Sequence, residues 1–187
     1  MKTEQELANA LKELMSRESL DDITVKRLTD ICNIKRQTFY YHFRDIYDLL
    51  TWIFLNEDLN KNNSVDKWQD AVRVIAKYTT KNKRFVQNTL SSAGKELFEQ
   101  FISSYLYAVT LTIFAKYDKK GVVPNEDKRM FVSYYVSGIS SAIIIWIEKG
   151  MKENENQLIK HLELVVGDFV QGLILKYTKW YIFKING

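Results

Sequence analysis

The side chains best suited to bind a ligand lie in a short basic segment near the start of the chain. Between Thr24 and Arg44 the charged residues are Lys26, Arg27, Asp30, Lys35, Arg36 and Arg44, of which only Asp30 is acidic. Residues 1–23 are acidic in balance. Because a run of charge is most often a solvated face, an interpretation as a nucleic-acid site depends on the pattern of the residues.

That pattern fits a DNA-reading helix. Lys35, Arg36 and Gln37 stand at the start of a predicted helix, where long donors can reach base edges in the major groove. Thr38, Tyr40 and His42 follow and can bind phosphates without permanent positive charge. For His42, a ring packed between helices is an equal alternative. A catalytic role is not expected, because no Ser or Cys nucleophile arrangement accompanies it.

The elements around these residues form a helix-turn-helix pattern. Thr24 is a suitable N-cap for a short helix with an apolar face at Val25, Leu28, Ile31 and Cys32. Asn33 tolerates the left-handed backbone of a sharp turn. Phe39 and Phe43 then share one side of a second short helix. Two short helices joined by a tight turn are typical of DNA-binding heads.

The rest of the chain predicts an all-α protein. An amphipathic first helix precedes the motif, and another helix follows Asp45 until the polar run Asn60–Ser64. Later helices are expected near 65–80, 82–93, 95–117, 126–151 and 155–179. We therefore predict a three-helix DNA-binding head in residues 1–46 and a helical effector-binding or partner-binding and dimerisation body in 47–187. The tail Trp180–Gly187 suggests no specific role.

Composition narrows the function classes. The 187 residues are 46% hydrophobic with a net charge of +4, a mild balance compatible with a polyanionic partner. Cys32 has no disulfide partner, and His42 and His161 do not complete a metal set. We expect no cofactor and no metal. We also expect no secretion signal, which fits a cytoplasmic location.

The stretch Met130–Ile147 carries no formal charge and approaches the length of a membrane span. It contains several serines and a glycine, and basic residues flank both ends, so it shows no inside–outside bias. We predict a helix buried in a soluble body, with no membrane contact.

The last two predicted helices carry a candidate dimer interface. Ser133, Ser137 and Ser141 recur one helical turn apart and allow close approach of another helix. The final helix presents an apolar stripe. The predicted interface residues are Ser137, Ser141, Ile145, Leu162, Val166, Phe169 and Leu173.

Aromatic residues in the middle of the chain are candidates for an effector pocket. Filling the core is the other interpretation, since large aromatic side chains pack helical interiors without any ligand. The candidate pocket residues are Trp68, Tyr78, Phe98, Phe101 and Tyr105.

Segments 23–28 and 38–43, Ile-Thr-Val-Lys-Arg-Leu and Thr-Phe-Tyr-Tyr-His-Phe, resemble the motif of the TetR family of bacterial regulators, and Asp-Leu-Leu at 48–50 resembles its next helix. The resemblance implies base contacts from Lys35–Gln37 and Tyr41. It implies backbone contacts from Thr24, Lys26, Thr38, Tyr40 and His42.

This sequence departs from the family pattern at three points. Lys35 replaces the usual Ser or Thr cap of the recognition helix and cannot accept a backbone N–H. Ile46 stands where many relatives place a phosphate-binding Lys. Cys32 and Asn33 replace the frequent Ala and Gly at the turn.

A further resemblance lies in the body. Tyr-Tyr-Val-Ser-Gly at 134–138 and Trp-Ile-Glu-Lys-Gly-Met at 146–151 are similar to a subgroup that includes activators of dihydroxyacetone kinase operons. This implies a signal delivered by a protein coactivator related to the kinase subunit.

These observations predict a homodimeric regulator that binds a palindromic double-stranded DNA operator and answers to such a coactivator or to a small-molecule effector. The alternatives are a repressor released by a small apolar ligand and, more remotely, a helical adaptor whose basic helix binds an acidic protein. An enzyme is not expected, because no polar catalytic set is visible.

Overall fold

The computed structural model describes residues 2–59, 65–167 and 169–186, with side chains as far as Trp180. Throughout these ranges the regular structure is helical and no strand is present, which confirms the all-α prediction. The α-helices are α1 (Lys2–Met15), α2 (Val25–Ile31), α3 (Arg36–His42), α4 (Ile46–Asn56), α5 (Trp68–Lys81), α6 (Lys83–Leu90), α7 (Lys95–Tyr117), α8 (Asn125–Glu148), α9 (Glu155–Val166) and α10 (Phe169–Asn186).

The chain divides into two compact units. The first comprises the described residues of Met1–Leu59 and Tyr78–Phe101, so it extends beyond the predicted head at 1–46. Within it α1 packs against α2, α4 and α6, and α2 packs against α3. The apolar positions at helical spacing form its core, where the fully buried side chains include Leu7, Leu11, Leu28, Phe39 and Leu49.

Polar contacts fix the end of α1 in this unit. The Asn88 side chain on α6 donates to the backbone carbonyls of Met15, at 2.5 Å, and Glu18, at 2.9 Å. Lys12 forms an ion pair with Glu57, and its ammonium lies 5.5 Å from the centre of the Phe85 ring. The first unit is therefore held by buried apolar contacts together with directed polar ones.

The second unit comprises the described residues of Asn60–Lys77 and Ile102–Gly187. Its α8 packs against α9 and buries the face that contains Val132, Val136, Ile139 and Ile143. The predicted boundary run Asn60–Ser64 lies outside the described residues.

A buried carboxylate closes the loop between α7 and α8. The Asp118 side chain accepts backbone N–H groups from Val122, at 2.8 Å, and Val123, at 3.3 Å. It also lies 3.2 Å from the Lys128 ammonium and is 1% exposed. The loop predicted around Pro124 is thus held from within, because the charge of Asp118 is paired and hydrogen-bonded.

The prediction of a single helix over 155–179 was wrong. Two helices, α9 and α10, occupy this region. Helix α9 ends at Val166, and its C-cap residue Gly167 has a φ of 45°. Such a backbone favours glycine. The apolar stripe continues beyond this break, so hydrophobic periodicity alone did not show it.

Two described helices, α7 and α8, are long and apolar enough to span a membrane by length and composition. In the most apolar window of α8, with a mean hydropathy of 1.7, half of the residues are buried inside the chain. Core helices of soluble proteins also have this character.

Candidate nucleic-acid interface

The turn between α2 and α3 has the geometry that its residues predicted. The hydroxyl of Thr24 caps α2 by accepting the backbone N–H of Arg27. Asn33 follows α2 with a φ of 51°, in the left-handed region. The Ile34 N–H then donates to the Thr29 carbonyl at 3.0 Å, which fixes the direction in which α3 begins.

Helix α3 has one buried face and one exposed face. Phe39 and Phe43 are 0% and 4% exposed, and their ring centres lie 5.9 Å apart. Tyr40 and Tyr41 are 54% and 84% exposed. The predicted base-reading residues Lys35, Arg36 and Gln37 are also exposed. The aromatic anchor therefore fixes α3 in the first unit while these five polar or amphipathic side chains face solvent.

The cations of the segment differ in their partners. Arg27 lies 2.5 Å from a Glu18 oxygen, and Arg44 lies 3.7 Å from an Asp48 oxygen. Lys26, Lys35 and Arg36 have no carboxylate partner within the part of the chain that the structure describes. Their charges are thus available to a polyanion.

His42 faces α1. Its Nδ1 lies 3.3 Å from a Glu4 carboxylate oxygen, and both side chains are 20% exposed. This is the packed position considered as an alternative, and it leaves Nε2 as the second ring nitrogen. The phosphate contact of His42 remains a prediction. Thr38 is half-buried on the same helix.

The start of α4 lies directly after the helix-turn-helix. Asp45 caps it by accepting the Asp48 N–H at 2.8 Å, and Ile46 is half-buried. Next to α3, the Arg44 side chain is 87% exposed. Its position directly after the motif is the only sequence signal for it as a further phosphate-binding candidate.

The cap prediction for α3 also agrees with the structure. Lys35 occupies the N-cap position and makes no side-chain cap hydrogen bond. The first turn of the recognition helix therefore lacks the side-chain acceptor that Thr24 gives to α2.

The five candidate pocket residues fall in both units. In the first unit, the Phe101 ring packs 5.0 Å from Phe54 and 5.7 Å from Tyr78, and Phe98 is fully buried. Burial and the Glu57 charge raise the pKa of the Tyr78 phenol. These three candidates form an aromatic core.

The other two pocket candidates, Trp68 and Tyr105, belong to the second unit. Trp68 lines a cavity there, and Tyr105 is half-buried. No group of three or more His, Cys, Asp or Glu residues suited to a metal occurs in the described ranges.

The candidate dimer residues fall into an exposed group and a more enclosed group. Ser137, Ser141 and Ile145 lie on the exposed face of α8, where Ile145 is 49% exposed. On α9, Val165 of the predicted apolar stripe and its neighbour Leu164, which was not predicted, are 83% and 81% exposed.

The remaining interface candidates are more enclosed. Leu162 and Leu173 are 5% and 9% exposed, so they contribute to the core of their own chain. Val166 and Phe169 are half-buried, and Phe169 stacks on Tyr135 with ring centres 4.4 Å apart.

The capped α2, the left-handed turn and the anchored α3 define a helix-turn-helix protein of the all-α class. A TetR-type family model described as "Transcriptional regulator C-terminal region" matches residues 66–168, more than half of the chain. The chain belongs to the TetR family of transcriptional regulators.

Two comparisons found similar regulators. The HTH-type dhaKLM operon transcriptional activator DhaS of Lactococcus lactis subsp. lactis (strain IL1403) is 34% identical over 88 residues. The match covers 46% of this chain and 47% of that protein, so it spans about half the length of the relative. A solved structure, "Dihydroxyacetone kinase operon activator DhaS", is 25% identical with a TM-score of 0.63 and covers 95% of this chain and 96% of that one.

Proposed function

We propose that this regulator binds a palindromic DNA operator as a homodimer, with one α3 in each half-site. The observation that carries the proposal is the exposed row Lys35, Arg36, Gln37, Tyr40 and Tyr41 above the buried pair Phe39 and Phe43. A helix anchored by this buried pair can present Lys35–Gln37 and Tyr41 to base edges in the major groove. Thr24, Lys26, Thr38 and Tyr40 are assigned to phosphates, as is the remaining nitrogen of His42.

Dimerisation is assigned to the exposed faces of α8 and α9. Ser137 and Ser141 permit close helix approach, while Ile145 and Val165 provide apolar surface. A twofold axis places equal faces together, and dimer symmetry then sets the spacing of the two half-sites.

The similar regulators are activators, which supports activation of transcription over repression. We assign the protein to control of dihydroxyacetone utilisation, through a coactivator protein similar to a dihydroxyacetone kinase subunit, in the cytoplasm and without catalysis. A small-molecule-released repressor is the second candidate, because Trp68 lines a cavity in the second unit. The adaptor with an acidic protein partner remains the remote one.

The test begins with selection of bound DNA from a random pool by the full-length protein. The expected product is an inverted repeat, bound at least about a thousandfold more tightly than random DNA at physiological salt. Weak binding without sequence preference would instead support the adaptor.

A reporter carrying the selected operator separates the remaining candidates. Expression that rises only when the kinase-like coactivator is co-expressed supports activation. Expression that is low with the regulator alone, and rises when a small molecule releases purified protein from DNA, supports the repressor.

A further inference from the structure

His42, the last residue of α3, has one ring nitrogen in contact with a carboxylate of α1. Its Nδ1 lies 3.3 Å from a Glu4 oxygen, and both side chains are 20% exposed. Both helices belong to the first unit. A partly buried polar contact therefore links the last turn of the recognition helix to α1.

The other groups around the His42 ring carry no negative charge. On α3 itself, the Tyr41 ring packs edge-on with its centre 5.0 Å away, and the Phe43 ring lies at 6.2 Å. In the described part of the chain, neither α2 nor α4 places a carboxylate within 4 Å of the imidazole. Glu4 of α1 is thus the acidic partner of His42.

Glu4 is itself held in the charged form. Its pKa is lowered, first by a hydrogen bond from the amino terminus of the chain and least by the charge of His42. At neutral pH the side chain is therefore a carboxylate. A carboxylate has no proton to donate and only accepts hydrogen bonds.

The carboxylate decides which nitrogen of a neutral His42 carries the proton. A neutral imidazole has one N–H donor and one bare nitrogen that accepts. Because Glu4 only accepts, the proton lies on Nδ1, and Nε2 is left as an acceptor. An ionised phosphate oxygen is an acceptor too, so a neutral His42 in this position cannot bind it. The imidazolium has an N–H on both nitrogens and can donate to Glu4 and to a phosphate together.

We propose that Glu4 is a positioning residue for the phosphate contact of His42, and that each recognition helix takes up one proton at this imidazole when it binds DNA. The inference rests on the DNA-binding function proposed above and deepens it. Phosphate contact by His42 then requires the charged ring, whereas the hydroxyl of Thr38, one helical turn earlier on α3, can donate without taking up a proton.

The sign of the pH dependence follows from the charges. In the complex the imidazolium lies between two anions, the Glu4 carboxylate and a phosphate, and opposite charge favours the charged form. DNA binding is therefore coupled to proton uptake. Operator affinity rises as the pH falls toward the range in which histidine is charged, and it levels off once the free protein is protonated as well.

The first test needs no DNA and examines the tautomer of His42 directly. Long-range nitrogen–proton NMR spectra of the full-length protein at about pH 8 distinguish an Nδ1–H imidazole from an Nε2–H imidazole. The chain has two histidines, so the His161→Gln variant leaves the signals of His42 alone. We expect the Nδ1–H tautomer. The Nε2–H tautomer would overturn the proposal.

The second test measures operator affinity of the full-length protein by fluorescence anisotropy at about pH 7.5 and about pH 6. The wild type is expected to bind about tenfold more tightly at the lower pH, because both heads of the dimer gain the charged contact. His42→Gln should lose this change. His161→Gln is the matched control and should keep it, since His161 forms the same kind of pair, 3.1 Å from Glu153, in the second unit.

An affinity that is the same at both pH values in the wild type, or a full pH effect in His42→Gln, would overturn the proposal. Preference for the operator over random DNA at a single pH tests the DNA-binding function separately. An operator that is bound with preference but without pH dependence would therefore count against the proton uptake alone.

Glu4→Gln separates a positioning role from a merely structural one. The amide has nearly the same shape, but it donates as well as accepts, so a neutral His42 can carry its proton on Nε2 and bind phosphate. The tenfold ratio between the two pH values should shrink to about threefold or less, mainly because binding at the higher pH improves. Glu6→Gln makes the same charge change at an exposed position of α1 and should keep the full ratio. A Glu4→Gln protein that is weakened equally at both pH values would contradict the assignment.

Discussion

The hydroxyl oxygen of Thr24 lies 3.3 Å from the backbone nitrogen of Arg27 and accepts its hydrogen bond at the first turn of α2. The same hydroxyl keeps its own proton, which can donate to a DNA phosphate. The Thr24 side chain therefore stabilises α2 and can also take part in the proposed DNA contact.

Two replacements of Thr24 test whether its hydroxyl oxygen carries both roles. Thr24→Ala is expected to lower the free energy of unfolding by about 1 kcal/mol, because the cap is lost, and to weaken operator binding. Thr24→Ser keeps an oxygen and should retain both properties. Urea unfolding and fluorescence anisotropy measure them, and an alanine variant that unfolds like the wild type would argue against the cap.

Unlike Thr24, Lys35 occupies an N-cap position but makes no side-chain cap hydrogen bond. Lys35→Ser supplies an acceptor and is expected to stabilise the protein by about 1 kcal/mol. It also removes a proposed base-reading cation, so operator affinity should fall while stability rises. A rise in both, measured by the same two assays, would place Lys35 outside the DNA contact.

The exposed residues of α3 and α2 should differ in how they affect specificity. Arg36→Ala and Gln37→Ala are each expected to cost about 1–3 kcal/mol on operator DNA and little on random DNA. Lys26→Ala should weaken both DNAs and reduce the salt slope by up to about one unit. Equal losses on both DNAs for all three variants would contradict the assignment of base readers.

Short-range signals in the sequence were sufficient to predict the helix-turn-helix. Thr24, Asn33 and Asp45 act through their own or adjacent backbone, so their effect is visible within a few residues. The anchor pair Phe39 and Phe43 is likewise separated by one helical turn. Each of these cap, turn and anchor residues favours the same local structure that the fold contains.

What the sequence did not show depends on distant contacts. The pairing of His42 with Glu4 crosses from α3 to α1. The hydrogen bond from the Gln69 amide to Glu163 likewise joins residues that are far apart in the chain. Hydrophobic periodicity carries no information about such contacts. It also did not show the break at Gly167, because the helices on both sides of it bury apolar residues at helical spacing.

The dimer proposal can be tested at an exposed apolar residue of α8. Ile145 is 49% exposed, so Ile145→Glu should leave the fold of the single chain intact. If a partner covers this side chain, the loss of about 1.5–3 kcal/mol of apolar burial raises the dimer dissociation constant roughly ten- to a hundredfold. Sedimentation velocity measures the change.

The matched control is Leu55→Glu, which makes the same kind of change at a leucine of α4 that is 79% exposed. It should leave self-association as in the wild type. An Ile145→Glu protein that dimerises as strongly as this control would place the interface elsewhere.

Cys32 gives a prediction for pH dependence, and it concerns the end of α2 beside the turn. Burial, with the negative charge of Glu6, raises the pKa of its thiol. A raised pKa means less thiolate at a given pH, and the thiolate is the reactive form. Alkylation by iodoacetamide at pH 8 should therefore be slower than that of free cysteine, whose pKa is about 8.5.

The rate should continue to rise at pH values where free cysteine has levelled off, and it should match free cysteine once urea unfolds the chain. Because the chain has a single cysteine, mass spectrometry follows one site without ambiguity. A folded-state rate equal to that of free cysteine over the whole pH range would show that neither burial nor Glu6 acts on the thiol. Cys32 would then be an exposed group rather than part of the packing that positions α3.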